Sequence, residues 1–258
     1  MKCVILAGGK GTRIAEESNV RPKPMVEIGG RPLLWHIMKL YSSFAVSEFI
    51  VCLGYKGYMG KEYFANYFLH QADVTFDMAK NRIEYHDSRS EPWRVTLVDT
   101  GEETMTGGRL ARVRDYLDAG APFCMTYGDG LSNIDIRAEI AFHSEHGLQA
   151  TVACVRPPAR FGRIVMEGRK VVSFEEKPRV EGGLINGGFF VLNPSCLDLV
   201  SSDHTVWEKE PLESLAAEGQ LAAWVHRGFW QPMDTLRDKQ NLNSLWDSGA
   251  APWKLWEG

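Results

Sequence analysis

The residues best suited to chemistry begin near the amino terminus, where Leu6-Ala7-Gly8-Gly9-Lys10-Gly11-Thr12-Arg13 carries an apolar stretch into a glycine-rich turn that ends on a cation. With no Cβ in the way, the backbone N–H groups of such a turn can converge on an anion, as a phosphate chain requires. About ten residues later, Arg21-Pro22-Lys23-Pro24-Met25 sets Lys23 between two prolines. A backbone fixed on both sides lowers the ordering cost of presenting an ammonium to a phosphate. Two better-known phosphate loops fail on inspection. The dinucleotide pattern starting at Gly9 needs glycine where Ile14 stands, and the P-loop pattern starting at Gly8 needs glycine then lysine where Arg13 and Ile14 stand. An NAD-dependent oxidoreductase is thereby set aside.

Further along, Asp129 follows an apolar run and lies between Gly128 and Gly130, which leaves its carboxylate unobstructed; Asp234 follows Gln231-Pro232-Met233 and precedes a helical pattern. Thr104, Met105, Thr106, Gly107, Gly108 and Arg109 form a polar glycine loop opening a helix. Glu176 and Lys177 precede Pro178, and Asn186-Gly187-Gly188 opens a strongly apolar strand. Each has an ordinary alternative. Asp234 suits a helix N-cap and Asp129 a turn. Arg13, Lys23, Lys177 and Arg109 suit solvated surface charges, and Asn186-Gly187-Gly188 suits a β-bulge.

Taken together, G-G-x-G-T-R followed by a lysine before proline resembles the signature of the sugar-1-phosphate nucleotidyltransferases. The resemblance continues through Val26-Glu27-Ile28-Gly29-Gly30-Arg31-Pro32-Leu33, Tyr127-Gly128-Asp129-Gly130, Phe174-Glu175-Glu176-Lys177-Pro178 and Asn186-Gly187-Gly188-Phe189-Phe190, so it covers nearly the whole chain. Within that family the residues 93–101, 105–110 and 229–238 are most similar to members that use CTP and glucose 1-phosphate.

The resemblance implies transfer of CMP from CTP to glucose 1-phosphate with release of pyrophosphate. A phosphomonoester's second pKa is about 6, so the attacking oxygen is already ionised at neutral pH and no general base is needed. The demand is to hold two polyanions in line and neutralise their charge. By resemblance, Asp129 and Asp234 hold Mg²⁺, and Arg13 and Lys23 are the catalytic cations on the triphosphate. Leu6, Ala7, Gly8, Gly9, Lys10, Gly11, Thr12, Thr104, Arg109 and Gly128 complete the nucleotide site in that reading. Glu176, Lys177, Asn186, Gly187 and Gly188 take the sugar phosphate. At Arg160-Phe161-Gly162-Arg163 a long cation stands where the resemblance leads one to expect a smaller residue, which leaves the sugar open. The phosphate machinery serves UTP, dTTP or ATP equally well, and a nucleotide-sensing relative that has lost turnover is a reading of another class.

The elements that must position these residues are legible as short apolar runs over 4–7, 49–53, 123–127 and 151–155, ending in glycine, aspartate or proline as buried parallel strands do. Between them, Leu33, Leu34, Ile37, Met38 and Tyr41 recur at helical spacing after Pro32. Helices are also predicted near 61–68, 108–117, 136–146 and 235–246. Strands over 163–167, 170–176 and 184–192 read as an α+β extension of the sheet. The predicted fold is α/β, a Rossmann-like mostly parallel sheet with helices on both faces, with ligands at the carboxyl ends of its strands. Residues 1–258 then form one nucleotidyltransferase domain: a nucleotide-binding half over 1–130, a sugar-phosphate-binding half over 131–234, and a carboxyl-terminal helix and tail over 235–258. The tail carries Trp253 and Trp256, which want burial either on their own core or on a neighbouring subunit.

Composition excludes other classes. With 44% hydrophobic and 24% charged residues, the chain is ordinary for a globular protein. A net charge of -4, from 29 basic and 33 acidic residues, gives no footprint for nucleic acid or an anionic membrane. No stretch is apolar for long enough to serve as a signal core or a membrane span, which points to the cytoplasm. The five cysteines form no C-x-x-C pair, and Cys3, Cys52, Cys124 and Cys154 lie in apolar runs as small core side chains do. The resemblance adds the expectation of a homo-oligomer.

Overall fold

The computed structural model of the protein describes residues 1–11, 20–87, 90–157, 163–167, 170–175 and 183–256. Its centre is a seven-stranded sheet built from β1 (Lys2–Leu6), β2 (Glu48–Leu53), β3 (Arg94–Asp99), β4 (Phe123–Tyr127), β5 (Ala150–Val155), β6 (Ile185–Leu192) and β7 (Leu221–Val225), in the order β7-β5-β6-β4-β1-β2-β3. The pairs β1·β2, β1·β4, β2·β3 and β5·β7 are parallel, whereas β6 runs antiparallel to both β4 and β5. The sheet is thus mostly parallel, as the apolar runs predict. The antiparallel insertion of β6 brings its beginning beside the end of β4, since Phe189 pairs with Thr126.

Strand periodicity sorts the core into two layers. Cys3 and Ile5 of β1 face a layer with Leu33, Ile37 and Tyr41, while Val4 and Leu6 face another with Leu110, Phe190 and Trp207. The first layer is covered by the helices α1 (Leu33–Ser42), α5 (Ile136–His146) and α7 (Leu236–Asp247); the second by α4 (Thr106–Arg112) and α6 (Glu210–Ala217). Two further helices, α2 (Tyr58–Ala65) and α3 (Tyr67–Gln71), stand where one was predicted over 61–68; the helix breaks at Asn66, whose φ and ψ are −99° and 9°. Likewise the predicted helix over 108–117 is α4 followed by a separate 3-10 turn at Arg114–Tyr116.

The predicted extension divides differently from expectation. Arg163–Glu167 and Lys170–Glu175 pair with each other as a two-stranded ribbon, and only the third predicted strand, β6, joins the central sheet. All five cysteines are free, and Cys3, Cys52, Cys124 and Cys196 are buried.

The tail packs on its own chain. Trp253 is fully buried, stacked on Phe229 and Trp246, and its indole N–H donates to His36 Nδ1 at 3.3 Å. His36 in turn donates from Nε2 to the Ile28 carbonyl at 2.8 Å. A ring that must accept at one nitrogen and donate at the other has to be neutral, and burial lowers the His36 pKa to about 4.

Candidate active site

The carboxyl ends of β1 and β4 and the start of α4 surround a cleft of about 420 Å³. Leu6, Ala7, Gly8, Gly9 and Gly11 contribute the glycine turn. Thr104, Met105, Thr106 and Arg109 contribute the second loop, and Gly128, Asp129, Asp234 and Lys23 the third side. Gly128 seals the base of the cleft by donating from its N–H to the Leu6 carbonyl at 2.9 Å, with Pro24 so close that a Cβ at 128 would lie 3.0 Å from its ring.

At the centre is an ion-paired triad. Lys23 Nζ lies 2.8 Å from Asp129 Oδ2 and 2.7 Å from Asp234 Oδ1. Lys23 is only 8% exposed, so it is not the solvated surface charge that was one reading of the sequence. Burial pushes its ammonium pKa down, but the two carboxylates outweigh burial and hold it above the ordinary lysine value. The 3-10 turn Lys23–Met25, with Pro22 at its N-cap, supplies the rigid backbone.

Asp129 sits in the turn between β4 and the short strand Gly130–Ser132, where its carbonyl accepts from the Met233 N–H at 2.8 Å. That bond brings Asp234 alongside. Asp234 is not the cap of α7: Thr235 is, in a capping box with Asp238. Its carboxylate is left to face Lys23, and its N–H donates to Asp238 Oδ2 at 3.1 Å. Two hard oxygen donors from separate elements, converging within hydrogen-bond distance of one ammonium, match the donor set a divalent cation takes together with phosphate oxygens. Among the described residues no group of three His, Cys, Asp or Glu side chains forms a closed metal cage.

Arg109 reaches the cleft but is neither exposed nor at a helix surface. It is 4% exposed, and its guanidinium donates to the carbonyls of Gly8 (3.0 Å), Gly101 (2.8 Å), Glu102 (3.2 Å) and Leu53 (3.2 Å) and to Thr100 Oγ1 (2.8 Å). It clamps the loops that follow β1, β2 and β3. Gly8 is required for this, because a Cβ there would lie 2.0 Å from the guanidinium. Lys10 points away, its ammonium 2.5 Å from Glu103 on the exposed side of the same loops.

Beside the cleft lies a small cavity of about 50 Å³ lined by Asn186, Gly187, Gly188 and Trp230, with Tyr127 and Asp129 common to both spaces. Here Asn186 Oδ1 accepts from the Gly188 N–H at 2.8 Å, and Trp230 donates to the Gly187 carbonyl at 2.7 Å. The bulge reading also holds, since the β5·β6 register shifts between Val152 and Cys154. The sequence-predicted residues Leu6, Ala7, Gly8, Gly9, Gly11, Lys23, Thr104, Arg109, Gly128, Asp129 and Asp234 therefore meet at one cleft, with Asn186, Gly187 and Gly188 adjoining. Thr12, Arg13, Glu176 and Lys177, like the segment 160–162, lie outside the described residues.

The sequence assigned no role to Tyr127, Glu208 or Trp230. Tyr127 was legible as the end of an apolar strand and as the first residue of the Tyr127-Gly128-Asp129-Gly130 motif. Its half-buried phenol meets the Glu208 carboxylate, and burial together with that charge raises its pKa well above that of a free tyrosine, which keeps it a donor.

Comparison with known proteins bears on this geometry. The family described as "Nucleotidyl transferase" matches residues 2–235. The chain is 61% identical over 257 residues to a glucose-1-phosphate cytidylyltransferase of Salmonella typhi, covering 100% of both, and 42% identical over 257 residues to a probable glucose-1-phosphate cytidylyltransferase of Bacillus subtilis, covering 99% of this chain and 100% of that one. Among solved structures, a putative glucose-1-phosphate thymidylyltransferase from Bacillus anthracis superposes with a TM-score of 0.72 at 18% identity over 100% of this chain and 97% of its own, a likeness of fold alone. With its glycine turn, its paired carboxylates and a full-length match, the chain belongs to the nucleotidyl transferase family.

Proposed function

We propose that this protein transfers CMP from CTP to α-D-glucose 1-phosphate, giving CDP-glucose and pyrophosphate. The observation that carries this reading is the Lys23–Asp129–Asp234 triad at the mouth of the glycine turn, in a chain 61% identical over its full length to a glucose-1-phosphate cytidylyltransferase. A sugar-phosphate oxygen attacks the α-phosphorus of CTP; the new P–O bond forms as the α–β bridging P–O bond breaks, and pyrophosphate departs in line. Arg109 fixes the glycine turn so that its amides meet the phosphates without rearrangement. Lys23 holds the two carboxylates in one orientation and neutralises part of their charge.

Asp129 and Asp234 are the residues that would hold a divalent cation, in this reading Mg²⁺, which supplies charge neutralisation across the nucleotide phosphates. Arg13 is assigned to the triphosphate with Lys23, as is Thr12 of the same turn, whereas Lys10, predicted there too, faces Glu103 instead. Lys177, Glu176 and the Asn186-Gly187-Gly188 segment are assigned to the sugar phosphate. On this assignment residues 1–258 act as one catalytic domain, with the nucleotide half over 1–130, the sugar half over 131–234, and the helix and tail over 235–258, whose Asp238 accepts from the Asp234 N–H. Formation of CDP-glucose from CTP and glucose 1-phosphate, and its loss on chelation of Mg²⁺, is the direct test.

A homo-oligomer and a cytoplasmic location belong to the same proposal. The two-stranded hairpin Asp73–Asp77 and Arg82–His86 projects Phe76, Met78, Ile83 and Tyr85 into solvent beside the exposed Phe68, a patch suited to a second copy of the chain. No helix among the described residues is long and apolar enough to cross a membrane, and five free thiols suit a reducing compartment.

A further inference from the structure

Outside the triad, one carboxylate is built into the site from a distant segment. Glu208 lies just before α6, half-buried, and each of its oxygens receives a hydroxyl. Thr106 Oγ1 donates to Glu208 Oε2 at 2.6 Å, and Tyr127 donates its phenol to Oε1. Thr106 is the first residue of α4 and lines the nucleotide cleft; its hydroxyl also accepts from the Trp207 N–H at 2.9 Å. The same loop is seated on the 203–205 backbone. Met105 and Gly107 donate to the carbonyls of Asp203 (2.8 Å) and Thr205 (3.0 Å), and a Cβ at Gly108 would lie 2.5 Å from the Asp203 carbonyl oxygen.

On the other side, Tyr127 packs against the sugar segment: a Cβ on Gly188 would lie 2.5 Å from its ring, and Asn186, whose Oδ1 accepts from the Gly188 N–H at 2.8 Å, lines the same small cavity. Glu208 thus accepts from Tyr127 at one oxygen and from Thr106 at the other. These contacts run from the segment assigned to the sugar phosphate to the loop assigned to the nucleotide.

We propose that Glu208 is a positioning residue that ties the nucleotide loop to the sugar segment, acting through Thr106 on one side and Tyr127 on the other. The inference rests on reading the two adjoining cavities as the nucleotide and sugar-phosphate subsites. With one hydroxyl on each oxygen, the carboxylate, an acceptor at both ends and a donor at neither, holds the two side chains at once. Its contribution is geometric: a loop misplaced by a fraction of an ångström loses alignment for an in-line reaction.

The test is steady-state kinetics on Thr106→Val, Tyr127→Phe and Glu208→Met, with KM measured separately for CTP and glucose 1-phosphate. Losing one such hydrogen bond should raise the matching KM about fivefold. Thr106→Val is expected to move KM for CTP, Tyr127→Phe that for glucose 1-phosphate, and Glu208→Met both. In the Glu208→Met background, Thr106→Val and Tyr127→Phe should add nothing further. Full additivity, or both KM values within about twofold of wild type in Glu208→Met, overturns the proposal. Should Glu208→Met fail to fold, the split between the two single variants decides: each raising only its own KM supports the proposal, and both raising the same KM, or neither, overturns it. A wild-type protein inactive with CTP and glucose 1-phosphate removes the functional reading and the relay together; an active one with unmoved KM values removes the relay alone.

Discussion

At the scale of single residues the site is an exercise in fixing charge before substrate arrives. Lys23 would be a mobile surface cation on most loops, yet two prolines and two carboxylates leave it 8% exposed and in one place. Asp129→Asn keeps the shape of the turn and removes one anionic oxygen from the pair. The variant should melt within a few degrees of wild type and lose roughly 100-fold to 1,000-fold in kcat, the range seen when one stabiliser of transition-state charge is removed. Near-normal turnover in saturating Mg²⁺ would take Asp129 out of that role. These residues were legible in the sequence because prolines and glycines mark them as conformationally fixed or unobstructed. Glu208 was not, because its meaning lies in partners at Thr106 and Tyr127, 102 and 81 positions away, and nothing local distinguishes it from a solvated glutamate. Arg109 was legible as a residue of the site but not as a clamp, since its acceptors are backbone carbonyls from separate loops.

At the scale of elements, continuous apolar runs made β1, β2, β4 and β5 readable, because strands buried on both faces need no alternation. β3 and β7 were not read as strands. They lie at the two edges of the sheet and are only partly buried: β3 is diluted by Arg94, Thr96 and Asp99, while β7, apolar throughout, is a short Leu-Ala-Ala-Trp-Val run with Ala223 and Val225 exposed. The carboxyl-terminal helix was readable from its pattern, but the latch that holds its tail was not. That latch is His36, and it makes a signed prediction. Its pKa in the folded chain is about 4, below the 6.5 of the unfolded chain. The neutral ring is therefore the one folding favours: its contribution is complete above pH 6.5 and is lost as pH falls from 6.5 through 4. At about 1.4 kcal/mol per pH unit, denaturant titrations of wild type and His36→Phe should converge by up to about 3 kcal/mol between pH 7 and pH 4. A wild-type advantage independent of pH would mean that the ring is not held neutral by burial and the Trp253 N–H.

At the scale of the whole molecule, the chain order places the described loops assigned to phosphate along one end of a single sheet. β1, β2, β3 and β4 end there because they are parallel, and β6 begins there because it is antiparallel. The spaces assigned to nucleotide and sugar phosphate consequently adjoin, with Tyr127 and Asp129 common to both. Among the described residues, the opposite end carries none of those assigned to the site. The hairpin Asp73–Asp77 and Arg82–His86 is left with an exposed apolar patch; if a second copy covers it, sedimentation will give a mass above the 29.0 kDa of one chain. Met78→Glu with Ile83→Glu should then shift the protein toward the single-chain mass, and a wild-type protein that sediments as one chain at all concentrations would refute that surface.

The central claim is the identity of the transferred nucleotide and its acceptor, and pyrophosphate release measures it most directly. Glucose 1-phosphate and Mg²⁺ are incubated with the protein and, in parallel, CTP, UTP, dTTP or ATP. The account predicts release with CTP far above the other three and CDP-glucose as the accompanying product. Release that favours another triphosphate, or none with any of the four, would contradict it.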